Sequence, residues 1–451
     1  MIEPRWTRWA TAPVPRYTSY PTAAEFQDRF PRATLERWAS ALDREAPISV
    51  YVHIPFCETL CWYCGCHTSV PNGYDRVARY LTRLHQEIDL WAKRLAPHGG
   101  ARHVHFGGGS PNMLAADDFF ALMEHLREAF AVHEESEIAV ELDPRSLTDE
   151  KIAAMAASGV TRASVGVQTL SPRVQEAINR LQPRDMIEKA LGDLRAAGID
   201  AINFDLMYGL PHQSEADIIE AADFTADLRV DRVAVFGYAH VPWFAKHQAA
   251  IDASALPGLK ARFAQAEACA AALEARGYAR IGLDHFAKPV DPLARAAADG
   301  TLRRNFQGYT TDPCQTIIGI GNSAISTFRE GFAQAAKDMR EWTDAVEAGG
   351  LPVARGRAIS DDDRLRARAI EALMCNLEVD LETVCAEMGA PAHGLDEALT
   401  RARPMAEAGL CEISGRVITV PEAARMLVRP VAAAFDAYRD APQEGRHARA
   451  V

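Results

Sequence analysis

The sequence predicts an α/β protein: a partial (β/α)6 TIM-like barrel with an N-terminal arm and a mostly helical, winged-helix-like C-terminal domain. Three observations carry that expectation. From Ile48 to about Ala239, short β-branched runs alternate with longer stretches of helical period, and βα alternation implies a parallel sheet. Several helical stretches stop at a glycine just before the next strand, as in Ala157-Ser158-Gly159-Val160 and Ala197-Gly198-Ile199, where glycine supplies the left-handed turn that ends a helix. Beyond residue 360 the alternation gives way to helical stretches and one hairpin.

Taken in order, residues 1–47 form an arm and a short helix. Arg16-Tyr-Thr-Ser-Tyr-Pro-Thr-Ala23 is extended, because Pro21 biases Tyr20 away from the helical region. Leu35 to Leu42 reads as the helix. Residues 48–240 form the barrel, with strands over 48–56, 102–107, 137–142, 162–168, 201–208 and 232–239. Helices fall at 73–95, 115–131, 149–158, 172–197 (broken near Pro183) and 214–228. Residues 241–350 extend the barrel and add substrate-site elements. A helix near 255–276 ends at Gly277, and a glycine-rich strand and turn covers 317–326. Gly349, Gly350 and Gly356 mark a linker. Residues 351–439 form the C-terminal domain, with helices at 361–375, 380–388 and 394–409, a hairpin turning near Ser414-Gly415, and a last helix over 421–438. Residues 440–451 read as a disordered polar tail.

Composition narrows the function classes. At 451 residues and 48% hydrophobic, the chain has enough apolar material for a large core. A net charge of −12 argues against general nucleic-acid or anionic-membrane binding. The C-terminal domain interleaves acids and bases without a basic face, so it reads as a packing or capping domain. No apolar run is long enough to span a bilayer, and the N-terminus has no apolar signal core. The expectation is a cytoplasmic monomer. Nine cysteines, an odd number, read as a metal site plus scattered buried thiols, Cys269, Cys314, Cys375, Cys385 and Cys411.

The metal site is the loop after the first strand, where Cys57, Cys61 and Cys64 stand in C-x3-C-x2-C spacing with Cys66 beyond. Three thiolates this close converge on one inorganic group. They are too few for the four corners of a cubane iron–sulfur cluster, so one iron keeps an open position for chemistry. A structural zinc knuckle is the alternative; it needs a second Cys/His pair, and only His67 lies near. The strand tips that follow carry ligand-binding types. Gly107-Gly108-Gly109-Ser110 lets backbone approach a ligand closely, and Glu141 and Asp143 offer carboxylates to hydroxyl or ammonium groups. Gln168, Arg180, Asp205 and Tyr238-Ala239-His240 occupy later tips or the turns beyond them. Singly, each reads equally well as a turn, a cap or a satisfied core group. Together they read as one site.

The cysteine loop resembles the radical S-adenosylmethionine (SAM) family, whose first barrel strand runs into such a loop and which prefers an aromatic, here Tyr63, before the third cysteine. The resemblance implies a [4Fe-4S] cluster whose open iron is chelated by SAM. It narrows further. Arg16-Tyr-Thr-Ser-Tyr-Pro-Thr22, Cys64-Gly-Cys66, Gly282-Leu-Asp-His-Phe-Ala287 and Arg304-Asn-Phe-Gln-Gly-Tyr-Thr-Thr311 are similar to the oxygen-independent coproporphyrinogen III oxidase family. The likeness runs from about Arg16 to Tyr438.

That family converts two propionates of coproporphyrinogen III to vinyls, giving protoporphyrinogen IX in haem biosynthesis. Carried over by position, Cys57, Cys61 and Cys64 hold the cluster, and Cys66 is a fourth cysteine that does not. Tyr51, Gly108, Glu141 and Ile325 contact the cluster-bound SAM. Tyr63, Gly109, Ser110, Gln168, Arg180, Asp205 and Ala239 contact a second SAM. The family commonly has Phe at the Tyr63 position and Thr at Ser110. Tyr20 and Glu141 are candidates for roles in the chemistry. Arg16, Lys288, Arg303 and Arg304 are candidates for the substrate carboxylates. A one-electron donor such as flavodoxin or ferredoxin is implied. Two related branches are the alternatives: a haem chaperone, which lacks the Arg16–Thr22 arm, and an anaerobic haem-degrading methyltransferase.

Overall fold

The computed structural model describes residues 2–439 and 450; the expected tail lies outside them apart from Ala450. The expected six strands are Ile48–Ile54 (β1), Ala101–Gly108 (β2), Glu137–Leu142 (β3), Arg162–Gln168 (β4), Ala201–Tyr208 (β5) and Arg232–Gly237 (β6). They lie side by side, parallel, in chain order. The residues expected to be an extension are part of the same sheet. Thr316–Ile320 runs parallel to β1, with Gly319 opposite Tyr51. Antiparallel strands Ile325–Phe328, Gly331–Ala335 and Val353–Ala358 continue outward to Gln27–Asp28. On the other side His285–Ala287 pairs antiparallel with β6, followed by Ala279–Ile281. Among the described residues the sheet has thirteen strands and its two edges do not pair, so the barrel they form is open.

Strand alternation sorts the side chains. Val50, Val52 and Ile54 face out and pack in one core with Val77, Leu84 and Ile88 of the helix Asp75–Arg94. The residues between them face the lumen, which is polar. Glu141, Arg162, Ser164, Asn203, Asp205 and Arg232 line a cavity of about 260 Å3 there.

The C-terminal domain has helices Asp361–Asn376, Leu381–Glu387 and Asp396–Glu407 and a three-stranded sheet. Ser360 and Asp363 form a capping box at the start of the first helix. The expected final helix over 421–438 is instead three short pieces, the 3-10 turns Glu422–Leu427 and Ala433–Phe435 around Val428–Ala432. Pro430 explains the break, since it has no N–H to give and its ring crowds the carbonyl four residues back. The arm is not loose chain. Trp6, Val14, Tyr17 and Tyr20 share a core with Leu373, Leu427 and Phe435. The Trp6 indole N–H donates to the Ala408 carbonyl at 2.8 Å, and Tyr17 Oη donates to Asp436 Oδ2 at 3.0 Å. Among the described residues, no helix is long and apolar enough to cross a membrane.

One buried carboxylate braces the strands beside β1. Glu87 Oε2 accepts from Gly321 N at 2.8 Å and from the Trp342 indole N–H at 2.9 Å. Burial pushes its pKa from 4.5 up to about 7, against the lowering effect of those bonds. The unfolded chain therefore releases this proton near pH 4.5 and the folded chain near pH 7. Stability from this group is full below the lower value and falls as pH rises through the higher one. Glu87→Gln, which keeps the shape and an acceptor, should remove that slope. Between pH 4 and 8 the wild type should lose roughly 3 kcal/mol relative to the variant in denaturant melts.

Candidate active site

The chain leaves β1 at Ile54 and turns at Pro55 into the cysteine loop. Backbone bonds from Cys57 N to Ser69 O (3.1 Å) and from Ser69 N to Pro55 O (2.8 Å) close the loop on itself. The rest of the protein then grips it. Trp62 N donates to Ile178 O, Asn179 Nδ2 donates to Leu60 O, His247 Nε2 donates to Cys64 O and Gln248 Nε2 donates to Tyr63 O. Each sulfur also has polar neighbours. Thr68 Oγ1 and Ser110 Oγ lie 3.1 and 3.8 Å from Cys57 Sγ. Arg145 Nη2 and Arg180 Nη1 donate to Cys61 Sγ at 3.3 and 3.4 Å, and Cys66 N donates to Cys64 Sγ at 3.4 Å. Such donors stabilise thiolates and tune an iron–sulfur group, so this donor set fits a cluster held by three cysteines. Cys66 is exposed. Among the described residues, no three His, Cys, Asp or Glu side chains are placed to hold a single metal ion.

Asp143 organises the two arginines. Its Oδ2 accepts from Arg145 Nη2 at 2.6 Å and from Arg180 Nη1 at 3.2 Å. Burial raises its pKa, but the two guanidinium groups outweigh burial and hold it below the usual carboxylate range. Arg180 Nη2 donates to Gly166 O at 2.6 Å, while its Nε and the Gln168 side-chain oxygen are buried without hydrogen-bond partners among the described residues. Gln168 has φ +64° at the tip of β4. Water or a polar ligand can satisfy such atoms.

Glu141 lies one strand away. Its Oε1 is 3.0 Å from His105 Nε2, and its Oε2 accepts from Gly108 N at 3.2 Å. Burial pushes its pKa up, but the His105 bond and charge and the Gly108 N–H bring it below the ordinary value. It is an anion aimed at the lumen, suited to a ligand ammonium. Asp205, in the same cavity, behaves oppositely: burial, then the Glu141 charge, raise it to about 6 despite hydrogen bonds from Ser164 and Asn203. The glycines are required by close approach. A Cβ on Gly107 would sit 2.8 Å from Glu141 Oε1, and one on Gly108, at φ +108°, would sit 2.4 Å from the His53 ring. That His53 ring meets Tyr51 Oη at 3.1 Å. Ile325 starts the strand two places from β1.

A second cavity of about 870 Å3 opens beyond the tip of β6. Ala239 and His240 form one wall, Arg16 and Thr18 of the arm another, and Asp284, Arg304 and Arg429 face in from later segments. The structure does not bring every candidate here. Tyr20 is buried in the C-terminal core, its Oη accepting from Ala437 N at 2.8 Å, so it does not line the cavity. Lys288 Nζ donates to Arg229 O beside the start of β6, and Arg303 Nε donates to Glu371 Oε1 at 3.0 Å. Both are turned elsewhere. His53, His105 and Arg145 were not among the candidates. Alternation along β1 and β2 offered a signal for the first two, since His53 and His105 are two residues from Tyr51 and Gly107 and share their faces. Arg145 had none.

The comparisons with known proteins bear on this assembly. The sequence model of the Radical SAM superfamily matches residues 51–225, and that of the HemN C-terminal domain matches residues 359–427. The oxygen-independent coproporphyrinogen III oxidase of Bradyrhizobium diazoefficiens is 46% identical over 97% of this chain and 97% of its own length. The chain belongs to the oxygen-independent coproporphyrinogen III oxidase family. The oxidase of that name from Salmonella typhimurium is 38% identical over 94% of this chain and 93% of its own. The solved structure of Escherichia coli coproporphyrinogen III oxidase, titled a radical SAM enzyme, superposes with a TM-score of 0.89 at 36% identity, covering 94% of this chain and 97% of that one. Membership in this oxidase family implies a [4Fe-4S] cluster and SAM.

Serine at Cys57, Cys61 or Cys64 should abolish the brown cluster, whereas serine at Cys66 should leave about four irons and four sulfides per chain, as analysed on anaerobically prepared protein. Glu141→Ala should keep the iron and weaken SAM binding by about ten- to a hundredfold in calorimetry, the loss of one buried charge-assisted hydrogen bond.

Proposed function

We propose that this chain catalyses the oxygen-independent oxidative decarboxylation of two propionate side chains of coproporphyrinogen III, giving protoporphyrinogen IX. Each propionate, –CH2CH2COO−, becomes a vinyl, –CH=CH2, with release of carbon dioxide, one proton and two electrons. The cluster and SAM, when bound, supply a carbon radical able to take a hydrogen atom from an unactivated carbon, which acid–base groups alone cannot do. The observation that carries the substrate is the second cavity. In a chain of net charge −12, its wall gathers Arg16, Arg262, Arg304 and Arg429, while Arg280, also on it, is paired with Glu267 and Glu422. Guanidinium groups pair with carboxylates through a fixed fork of donors, which suits a substrate with four peripheral propionates.

The residues divide the work by position. Glu141 and Gly108 would hold SAM by its ammonium and polar groups, with Tyr51 and Ile325 beside them. Tyr63, Gly109, Ser110, Gln168, Arg180, Asp205 and Ala239 would hold a second SAM, and the unpaired Gln168 and Arg180 atoms support that reading. The arm, fixed to the C-terminal core by Tyr17 and Tyr20, closes one wall of the cavity and limits water near the reacting carbon. A protein or small-molecule donor such as flavodoxin or ferredoxin would supply the electron, and the enzyme would act as a cytoplasmic monomer.

Anaerobic protein with reconstituted cluster, SAM and a one-electron donor should convert coproporphyrinogen III to protoporphyrinogen IX. Haem transfer or haem consumption without that product would sink the proposal. Arg16→Ala should raise KM for coproporphyrinogen about tenfold, ~1.4 kcal/mol, with cluster content unchanged.

A further inference from the structure

The second cavity has one feature that binding carboxylates does not explain. Among the described residues on its wall, Arg16, Arg262, Arg304 and Arg429 are accompanied by a single carboxylate, Asp284, and the fifth arginine, Arg280, is paired with Glu267 and Glu422. Its ion pair within 4 Å is with His285, whose Nδ1 lies 2.8 Å from Asp284 Oδ1. The arginines stand farther off, so Asp284 does not neutralise them by contact. Its other oxygen, Oδ2, has no hydrogen-bond partner among the described residues. The side chain keeps 22% of its surface exposed toward the cavity.

The position is built. Asp284 sits in the turn between the strands Ala279–Ile281 and His285–Ala287, and its carbonyl accepts from Val235 N of β6 at 2.8 Å. Tyr309 Oη accepts from Leu283 N at 2.9 Å, and a Cβ on Gly282 would strike the Tyr309 ring at 2.1 Å. The His285 ring stands edge-on to Phe236 and Tyr309, with centroids 5.8 and 5.0 Å away. The carboxylate is thus held rigidly against the end of β6. Burial would raise its pKa, but the His285 bond and charge, with Arg304 and Arg16, bring it down to about 2, so it accepts hydrogen bonds as an anion.

A reduced cyclic tetrapyrrole has the complementary pattern. Its carboxylates lie on the rim, and its four pyrrole N–H groups can converge toward one side of a ring kept flexible by saturated bridges. We propose that Asp284 anchors the centre of the substrate ring by accepting pyrrole N–H hydrogen bonds while the arginines hold its rim. The assignment rests on the tetrapyrrole reading of this cavity. It makes Asp284 a specificity residue as well. An oxidised porphyrin has two N–H groups and two nitrogen lone pairs in a flat ring, which a carboxylate does not favour, although its propionates are the same.

The test compares two ligands on the holoenzyme without SAM, so that no turnover occurs. Binding of coproporphyrinogen III and of coproporphyrin III is measured anaerobically by equilibrium dialysis. Wild type should prefer the reduced ring. Asp284→Ala should weaken coproporphyrinogen at least tenfold and leave coproporphyrin within about twofold. Asp284→Asn, which keeps an acceptor but not the charge, should fall between. Arg304→Gln should weaken both ligands alike, because it faces groups they share, and His285→Gln should preserve the preference. Equal losses for both rings in Asp284→Ala and Asp284→Asn, or no loss in either, overturn the assignment while leaving the substrate reading intact. A wild type that binds neither ring overturns both.

Discussion

Three sulfurs cannot complete a four-iron cube, and much of this protein follows from that shortfall. A cluster held by Cys57, Cys61 and Cys64 would leave one iron for a small polar molecule, and that molecule would need polar partners in the lumen. Hence the lumen is polar. Glu141 is kept anionic by His105 and the Gly108 N–H, while Asp205 is pushed toward its neutral form by burial and the charge across from it. Two carboxylates in one cavity, driven apart by environment, can serve different parts of a ligand. A side chain at Gly107 or Gly108 would collide with Glu141 or His53.

The same shortfall accounts for the clamp on the loop. An anionic sulfur group at a strand tip needs counter-charge, and Arg145 and Arg180 deliver it to Cys61. Both are steered by Asp143, and Arg180 reaches back to Gly166 on β4. Cluster loop, third strand tip and fourth strand are thereby one electrostatic unit. The second cavity, the proposed substrate site, is separate in origin. Its wall is assembled from the arm, the end of β6, the turn at Asp284 and the C-terminal pieces that carry Arg429.

The βα period and its glycine stops made the six strands readable within a residue or two, because burial on one face and helix cover on the other leave a strong pattern. The strand Thr316–Ile320 beside β1 was visible as glycine-rich chain but not as part of the barrel sheet, since pairing over such a separation has no local signature. The cysteine loop stood out by its spacing, by the strand before it and by Tyr63. Arg145 was not, because its role depends on Asp143 turning it onto a sulfur from a distant loop. Tyr20 misled for the opposite reason. Its motif is distinctive, yet its hydroxyl is spent on Ala437 N, which ties the arm down. Lys288 and Arg303 were cations of the right type whose carbonyl or carboxylate partners lie outside the cavity.

On the proposed reading, the strand tips and the arginine-lined cavity bring a propionate β-carbon to the radical generated at the cysteine loop. Coproporphyrinogen III deuterated at those carbons tests it most directly, with the deoxyadenosine collected under turnover and read by mass spectrometry. Deuterium should enter deoxyadenosine in step with the appearance of vinyl groups. Deuterium-free deoxyadenosine alongside a full yield of protoporphyrinogen would contradict it.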